Sequence, residues 1–218
     1  MRFKDRVEAG EKLADKLEEM VKDKGIVLGI PRGGVVTAKV VAKRLGWPLN
    51  VIVTKKIGYP GHEELAMGAI AEDGEPVWDE RLRVQAGMLK KEEERLVNQV
   101  RKEKVKKYME KFRKGKDLVV KGKTVILVDD GIATGRTVEA GIKWLRDKGV
   151  GKIVVGMPVC ARDSAKKLKK LADEWVCLDT PRNFMAVGQF YKEFSQVSDE
   201  EVVQALNIVW INRRKRFG

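Results

Sequence analysis

A chain of 218 residues that is 43% hydrophobic can bury a core of its own, and its 45 Lys and Arg against 32 Asp and Glu leave a formal charge of +13. No run of roughly 18 uninterrupted apolar residues is present, and the opening MRFKDRVEAGEKLADKL is amphipathic rather than signal-like, so a soluble, unexported, cytoplasmic protein with no membrane partner is expected. A single histidine, His62, excludes a His-rich zinc site and would leave a Ser-His-Asp triad dependent on one residue, while Cys160 and Cys177 are expected to be buried thiols. The positive charge has two open readings. One is a polyanionic partner, nucleic acid or a phosphorylated metabolite; the other is the Lys/Glu-rich surface of a heat-adapted protein.

Along the chain, residues 5–22 place Val7, Leu13, Leu17, Met20 and Val21 on one helical face, with Gly25 as the expected stop. IVLGI at 26–30 is short and apolar on all sides, as a buried parallel strand should be, and the loop PRGG at 31–34 follows it. A helix is predicted over 35–45, a second strand in LNVIVTKK at 49–56, a third in KTVILVDD at 123–130, a fourth in KIVVGMPV at 152–159, a helix over 163–172 and a last strand in EWVCL. This alternation predicts an α/β fold: a parallel sheet with helices on both faces and ligands at the carboxyl ends of the strands. From about 80 to 114 the rhythm breaks into a charged helical insert with Leu89, Leu96, Val100, Val105, Tyr108, Met109 and Phe112 at helical spacing, read as one apolar stripe on a solvated arm. SDEEVVQAL opens with a capping box, Ser198 with Glu201, which predicts a last helix from Asp199; the terminal NRRKRFG is read as a solvated basic tail. The chain is thus expected to be one domain, residues 1–218, with the insert and a C-terminal segment from about 179.

The stretch VILVDDGIATGRTV, residues 125–138, carries the chemistry. VILV brings the chain to the carboxyl edge of the sheet, Asp129 and Asp130 stand on that edge, and GIATGRT turns into a predicted helix over 137–147. A loop feeding a helix N-terminus offers unpaired N–H groups and a positive dipole end, which suits a phosphate. Gly131 and Gly135 allow close backbone approach, and Thr134 and Thr137 add hydroxyl donors. Carboxylates would repel that phosphate, so the two acids serve a neutral polyol or a metal. A phosphate one sugar away from vicinal hydroxyls describes a ribose 5-phosphate. Competing signatures fail: VVKGKT has Asp117 where the Walker pattern needs its first Gly and precedes a strand, and no complete G-x-G-x-x-G occurs.

VILVDDGIATGRT closely resembles the phosphoribosyl-pyrophosphate (PRPP) motif of type I phosphoribosyltransferases: four hydrophobics, two acids and a T-G-x-T ending. The resemblance implies that Asp129 and Asp130 bind the ribose hydroxyls, directly or through Mg²⁺, and that Gly131, Ile132, Ala133, Thr134, Gly135, Arg136 and Thr137 hold the 5′-phosphate. It also covers most of the chain. Arg32, Gly33 and Gly34 stand where the family binds pyrophosphate, often with a cis bond before the basic residue, here Pro31–Arg32; Lys55 and Lys56 stand where basic residues reach the pyrophosphate. A mobile catalytic loop is expected within 57–75, with Glu63 and Glu64 as candidate proton acceptors. FMAVGQFYKEF at 184–194 resembles the hood of purine-type members, making Phe190 and Tyr191 candidates to stack on a base.

The implied fold is a doubly wound, parallel-sheet core with a helical insertion and a C-terminal hood. The implied activity, in nucleotide metabolism, is Mg²⁺-dependent transfer of the phosphoribosyl group of PRPP to a nitrogen of an unidentified base, with release of pyrophosphate, by an expected homodimer. The alternative is a PRPP-sensing regulator of the same fold that binds nucleic acid through its basic surface. The chain lacks a recognisable helix-turn-helix or aromatic RNA-binding motif, which disfavours it.

One position departs from part of the family. Members acting on 6-oxopurines carry an Asp where this chain has Ala133, whereas adenine-type members resemble it with ATG. Alanine cannot take a proton from a purine ring nitrogen. Hypoxanthine and guanine are therefore expected to be poor acceptors; pyrophosphate release measured over a panel of bases checks this, and either of them ranking first would contradict it.

Overall fold

The computed structural model describes residues 2–214. Helix α1 (Arg6–Met20) leads to strand β1 (Gly25–Gly29), helix α2 (Gly33–Leu45), β2 (Leu49–Val51), β3 (Thr54–Tyr59), β4 (His62–Ala71) and β5 (Val77–Trp78). Three helices follow, α3 (Glu80–Ala86), α4 (Lys90–Val100) and α5 (Lys106–Arg113), the last two joined by a π-helical turn over Arg101–Val105. The chain then runs through β6 (Thr124–Val128), α6 (Arg136–Asp147), β7 (Lys152–Val159), α7 (Arg162–Leu168), β8 (Glu174–Asp179), a 3₁₀ turn at Val187–Phe190 and α8 (Asp199–Arg214). Among the described residues no helix is long and apolar enough to cross a membrane.

Strands β1, β2, β6, β7 and β8 form one parallel sheet in the order β2-β1-β6-β7-β8. Successive strand residues go to opposite faces: Val27, Ile126, Val128 and Val154 pack with α1, α2 and the α4–α5 region, and Leu28, Val125, Leu127, Ile153 and Val155 with α6. Both faces are covered, which is why these strands read as unbroken apolar runs. From β1 the chain winds outward through α2 to β2; from β6 it winds the other way through α6 to β7. The loops after β1 and β6 therefore part around a crevice at the carboxyl edge, the position where doubly wound sheets bind ligands.

Helix α1 is capped by Asp5, whose Oδ1 accepts from the N–H of Val7 at 2.8 Å and of Glu8 at 2.9 Å. Its buried face carries Arg6, Ala9, Gly10, Leu13, Ala14 and Leu17. Val7 and Met20, expected on that face, are 46% and 36% exposed, so the true stripe is rotated and takes in a charged residue, Arg6. A Cβ on Gly10 would lie 2.8 Å from Val40 Cβ; glycine lets α1 settle directly on α2. Gly25 does not stop the helix but opens β1, close against the Thr124 carbonyl.

Other expectations also need correction. LNVIVTKK is not one strand: β2 ends at Val51 in the parallel sheet, and β3 begins at Thr54 in a second, antiparallel sheet of β3, β4 and β5. The segment 57–75, where a mobile loop is expected, is largely this hairpin: Met67, Ala69, Ile70 and Ala71 are buried on it, and the run 60–65 around its turn is exposed. Cys160 and Cys177 are not free thiols. Adjacent parallel strands bring them side by side, Cα atoms 6.6 Å apart, and they are paired as a disulfide. In the helical segment Val100, Val105 and Phe112 are buried as the spacing implied, whereas Leu89 is 70% exposed. The capping box forms as read, with Ser198 N–H donating to Glu201 Oε2 at 2.7 Å and Glu201 N–H to Ser198 Oγ at 3.1 Å. The last four residues of the basic tail lie outside the described residues.

A buried ion pair ties the hairpin to α5. Arg113 Nη2 lies 2.8 Å from Glu72 Oε2, both side chains are 3% exposed, and Glu72 Oε1 accepts from the Val53 N–H at 3.3 Å. Burial pushes the Glu72 carboxyl up, opposed by the Arg113 charge. Removing one partner strands the other charge in the core, so Arg113→Met should lower the unfolding free energy by about 3 to 5 kcal/mol, with much of it recovered in Glu72→Leu/Arg113→Met. Denaturant unfolding reads both values.

Candidate active site

The crevice between β1 and β6 brings two loops into contact. From β6 the backbone delivers Asp129 and Asp130; from β1 it delivers Pro31, Arg32 and the paired glycines, with the Pro31–Arg32 peptide bond cis. A Cβ on Gly33 would overlap Asp130 Oδ2, and one on Gly34 would lie 2.6 Å from Asp129 Oδ1. Only bare backbone fits against the two carboxylates.

The carboxylates are held from several sides. Asp129 Oδ1 accepts from the Asp130 N–H at 2.8 Å, Arg6 Nε donates to Asp130 Oδ2 at 2.8 Å, and the Tyr191 hydroxyl donates to the Asp130 carbonyl at 2.5 Å. Burial holds the Asp129 carboxyl well above its ordinary range, and the neighbouring Asp130 charge adds to it. Asp130 is raised by burial as well, against the opposing hydrogen bond and charge of Arg6.

The phosphate-loop candidates divide by role. Ile132 is an anchor: it is 1% exposed, its N–H donates to the Val159 carbonyl at 2.8 Å and its carbonyl accepts from Ala161 N–H at 2.8 Å. Ser164 Oγ donates to the Ala133 carbonyl at 2.6 Å, and the Ala133 and Thr134 side chains face outward. Gly135 sits at φ +75°, and a Cβ there would lie 2.6 Å from Leu168 Cδ1, so glycine is required by conformation and by space. Among the described residues no side chain caps the N-terminus of α6, which begins at the next residue. Thr137, in its first turn, is half-buried and Gly131 packs beside Val187. The Arg136 guanidinium pairs with Asp79, the N-cap of α3, while its backbone opens α6.

Beside the glycines lies a cluster of cations around one acid. Asp199, at the start of α8, is 2.7 Å from Lys111 Nζ on α5 and 3.7 Å from Arg32 Nη1. Lys55 Nζ rests over the Tyr108 ring, 3.2 Å from its centroid. Burial, followed by repulsion from Arg32, pushes the Lys55 amine down to about 8, with Asp199 acting the other way. The residues of α5 and the start of α8 thus reach the pyrophosphate-side candidates. Lys56 is exposed, Glu63 is exposed and 3.9 Å from Lys104 Nζ, and Glu64 is exposed at the outer end of β4. Phe190 and Tyr191 offer no free face to a base: they are 7% and 3% exposed, with Phe190 5.2 Å from Phe184 and Tyr191 packed between Phe3 and Phe194 at 5.4 and 4.9 Å. Aromatic rings this near the sheet edge close a small core under the acid pair instead.

The family model for the phosphoribosyl transferase domain matches residues 5–194. The chain belongs to the phosphoribosyl transferase family. Two Mycobacterium tuberculosis proteins, from strains CDC 1551 / Oshkosh and H37Rv, both assigned by name to the phosphoribosyl transferases, are 41% identical over 206 residues, 94% of this chain and 46% of their own length. The chain therefore spans about half the length of these curated relatives. Among solved structures, TT1426 from Thermus thermophilus is 38% identical with a TM-score of 0.77, covering 94% of this chain and 98% of that one. The doubly wound fold expected of the family is the fold observed.

Within this transferase frame, the sequence pointed to the acid pair and both glycine loops but not to Arg6, Asp199 or Lys111. Arg6 did leave a signal: it precedes Ala9, Gly10, Leu13 and Leu17 by helical steps, so a charge sat in the apolar stripe. Asp199 and Lys111 come together only through tertiary packing.

Lys55 offers a pH test. Its folded value of about 8 lies below the ordinary 10.5, so charged Lys55 weakens the folded state below pH 8, and that penalty is relieved as pH rises from 8 towards 10.5. Binding of an anion beside Arg32 and Lys55 goes the opposite way, weakening above pH 8. NMR titration of isotopically methylated lysines should show one amine with a midpoint near 8, and Lys55→Met should remove both that signal and the pH step in anion binding.

Proposed function

We propose that this phosphoribosyl transferase-family protein moves the 5-phosphoribosyl group of PRPP onto a nitrogen of a base and releases pyrophosphate. One observation carries the reading: the carboxylates of Asp129 and Asp130 abut Gly33 and Gly34, so acceptors for a polyol and a cation-flanked glycine loop share the crevice at the switch point. Ribose hydroxyls would donate to carboxylate oxygens of the pair. The 5′-phosphate would lie on the 131–137 loop, near the exposed Thr134 and the uncapped amides of α6. The pyrophosphate would face Arg32 and Lys55. As the base nitrogen approaches, the C1–O bond breaks, pyrophosphate takes the electron pair, and the C1–N bond forms. Arg32 and Lys55 stabilise the negative charge gathering on the leaving group, held in place before the reaction begins. The proton of the base nitrogen would pass to Glu63, Glu64 or water.

The donor set fits a Mg²⁺ that arrives with the diphosphate. This ion takes one or two carboxylates and keeps waters and phosphate oxygens, and among the described residues no three His, Cys, Asp or Glu side chains gather to hold a metal on protein ligands alone. When bound it would neutralise charge on the diphosphate. Asp129 and Asp130 are the residues that would face it.

The test is binding and turnover. Calorimetric titration should show PRPP binding to the wild-type chain, and replacing both Asp129 and Asp130 by Asn should weaken it by about 1 to 3 kcal/mol per charged hydrogen bond lost while folding survives. Pyrophosphate release with at least one base of a purine, pyrimidine and heterocycle panel completes the assignment. PRPP binding without turnover, together with salt-steep nucleic-acid binding that PRPP alters, would instead identify the regulator.

A further inference from the structure

We infer that Arg6 is the positioning residue of the acid pair: it occupies the cation position beside Asp130, so the pair meets its ligand as a preset acceptor and recruits no divalent ion of its own. The inference rests on the ribose-binding reading of Asp129 and Asp130 and deepens it.

Arg6 does what a surface arginine of an N-terminal helix turn does not. Its side chain is 10% exposed, Nε sits 2.8 Å from Asp130 Oδ2, Nη1 donates to the Ser195 carbonyl at 2.9 Å, and the guanidinium lies 3.9 Å from the Phe194 ring centroid. One planar group thus joins α1, the end of β6 and the C-terminal segment. Lysine could not make these contacts at once, because an ammonium lacks the flat fork that bonds at its edge and stacks on its face. A Cβ on Gly33 would lie 2.9 Å from Arg6 Nε, so the loop bearing Arg32 passes directly over the pair and its arginine. Arg6 is therefore built into the crevice and not merely near it.

Two consequences separate this role from a structural ion pair. With Asp130 Oδ2 accepting from Arg6 and Asp129 Oδ1 from the Asp130 N–H, the carboxylate lone pairs that remain suit hydroxyl donors, whose protons rotate to meet them. With the fixed positive charge of Arg6 already present, a divalent cation approaching without ligand meets a pair whose net negative charge is lower by one unit. A purely structural arginine would affect stability and leave metal selectivity untouched.

The experiment uses the full chain without PRPP, titrated with Mn²⁺ and followed by electron paramagnetic resonance, alongside calorimetric titration with PRPP. Wild type should bind Mn²⁺ weakly; Arg6→Gln, with a positive charge gone from beside the carboxylates, should bind it about 10- to 100-fold more tightly and should lose about 10- to 100-fold in PRPP affinity, the usual scale for removing a residue that orients a binding group. Arg6→Lys keeps the charge without the fork; it should continue to exclude Mn²⁺ yet bind PRPP more weakly than wild type. Unchanged Mn²⁺ and PRPP affinities in a folded Arg6→Gln protein, with folding read by circular dichroism, would overturn the inference. Should Arg6→Gln fail to fold, Arg6→Lys decides: PRPP affinity equal to wild type overturns it. A wild-type protein that binds no PRPP at all defeats the ribose-binding reading, and the Mn²⁺ arm still judges Arg6 by itself.

Discussion

Two adjacent carboxylates at the end of a buried strand are an electrostatic liability, and the crevice is arranged around containing it. Burial and mutual repulsion favour the protonated form, so the pair holds charge only with donors supplied by its surroundings. Two donors reach the carboxylates, Arg6 from the first helix and the Asp130 amide from the loop itself, while Tyr191 from the C-terminal segment braces the Asp130 backbone carbonyl. Gly33 and Gly34 complete the containment by bringing backbone where any side chain would collide. The close fit of α1, the first loop and the C-terminal segment to β6 is thus one requirement seen from three directions.

Much of this was legible in the chain because the relevant signals are local. VILVDD announces a strand ending on acids, and Gly135 marks the αL turn into α6, so the loop and its sheet edge follow from neighbouring residues. The parallel strands were readable for the same reason, as apolar runs bounded by turns. What local pattern could not carry was which sheet a strand joins. LNVIVTKK is continuous in sequence character, yet the chain changes sheets between Val51 and Thr54, and only the antiparallel partner from Thr54↔Ala71 to Tyr59↔His62 reveals it. The same limit applies to Cys160 and Cys177, whose proximity depends on the order of strands. Phe190 and Tyr191 were legible as important aromatics, but whether a ring faces a ligand or a core is settled by packing partners, here Phe3, Phe184 and Phe194.

The hairpin and the three helices behave as one attachment to the crevice. Glu72 and Arg113 lock the inner end of β4 to α5, while Lys55 from β3 lies against Tyr108 of α5 and Lys111 meets Asp199 of α8. A shift of α5 would carry with it the surroundings of Lys55 and, through Asp199, those of Arg32. The cationic side of the crevice is therefore coupled to the helical segment, whereas the acidic side is coupled to α1 and the C-terminal segment.

The strand order also governs when the crevice can exist during folding. β1 and β6 are neighbours in the sheet but lie about a hundred residues apart in the chain, with the hairpin and three helices between them, and contacts of such long separation form late and slowly. During synthesis β1 can pair with β2 early, but its other edge stays open until residues 124–128 emerge. The acid pair arrives with that same segment, so a nascent piece lacking it carries the β1 loop but not the loop that closes the crevice against it. The exposed edge of β1 in the interval is an unpaired strand of Ile26, Val27 and Leu28, the kind of edge that joins other chains when left uncovered.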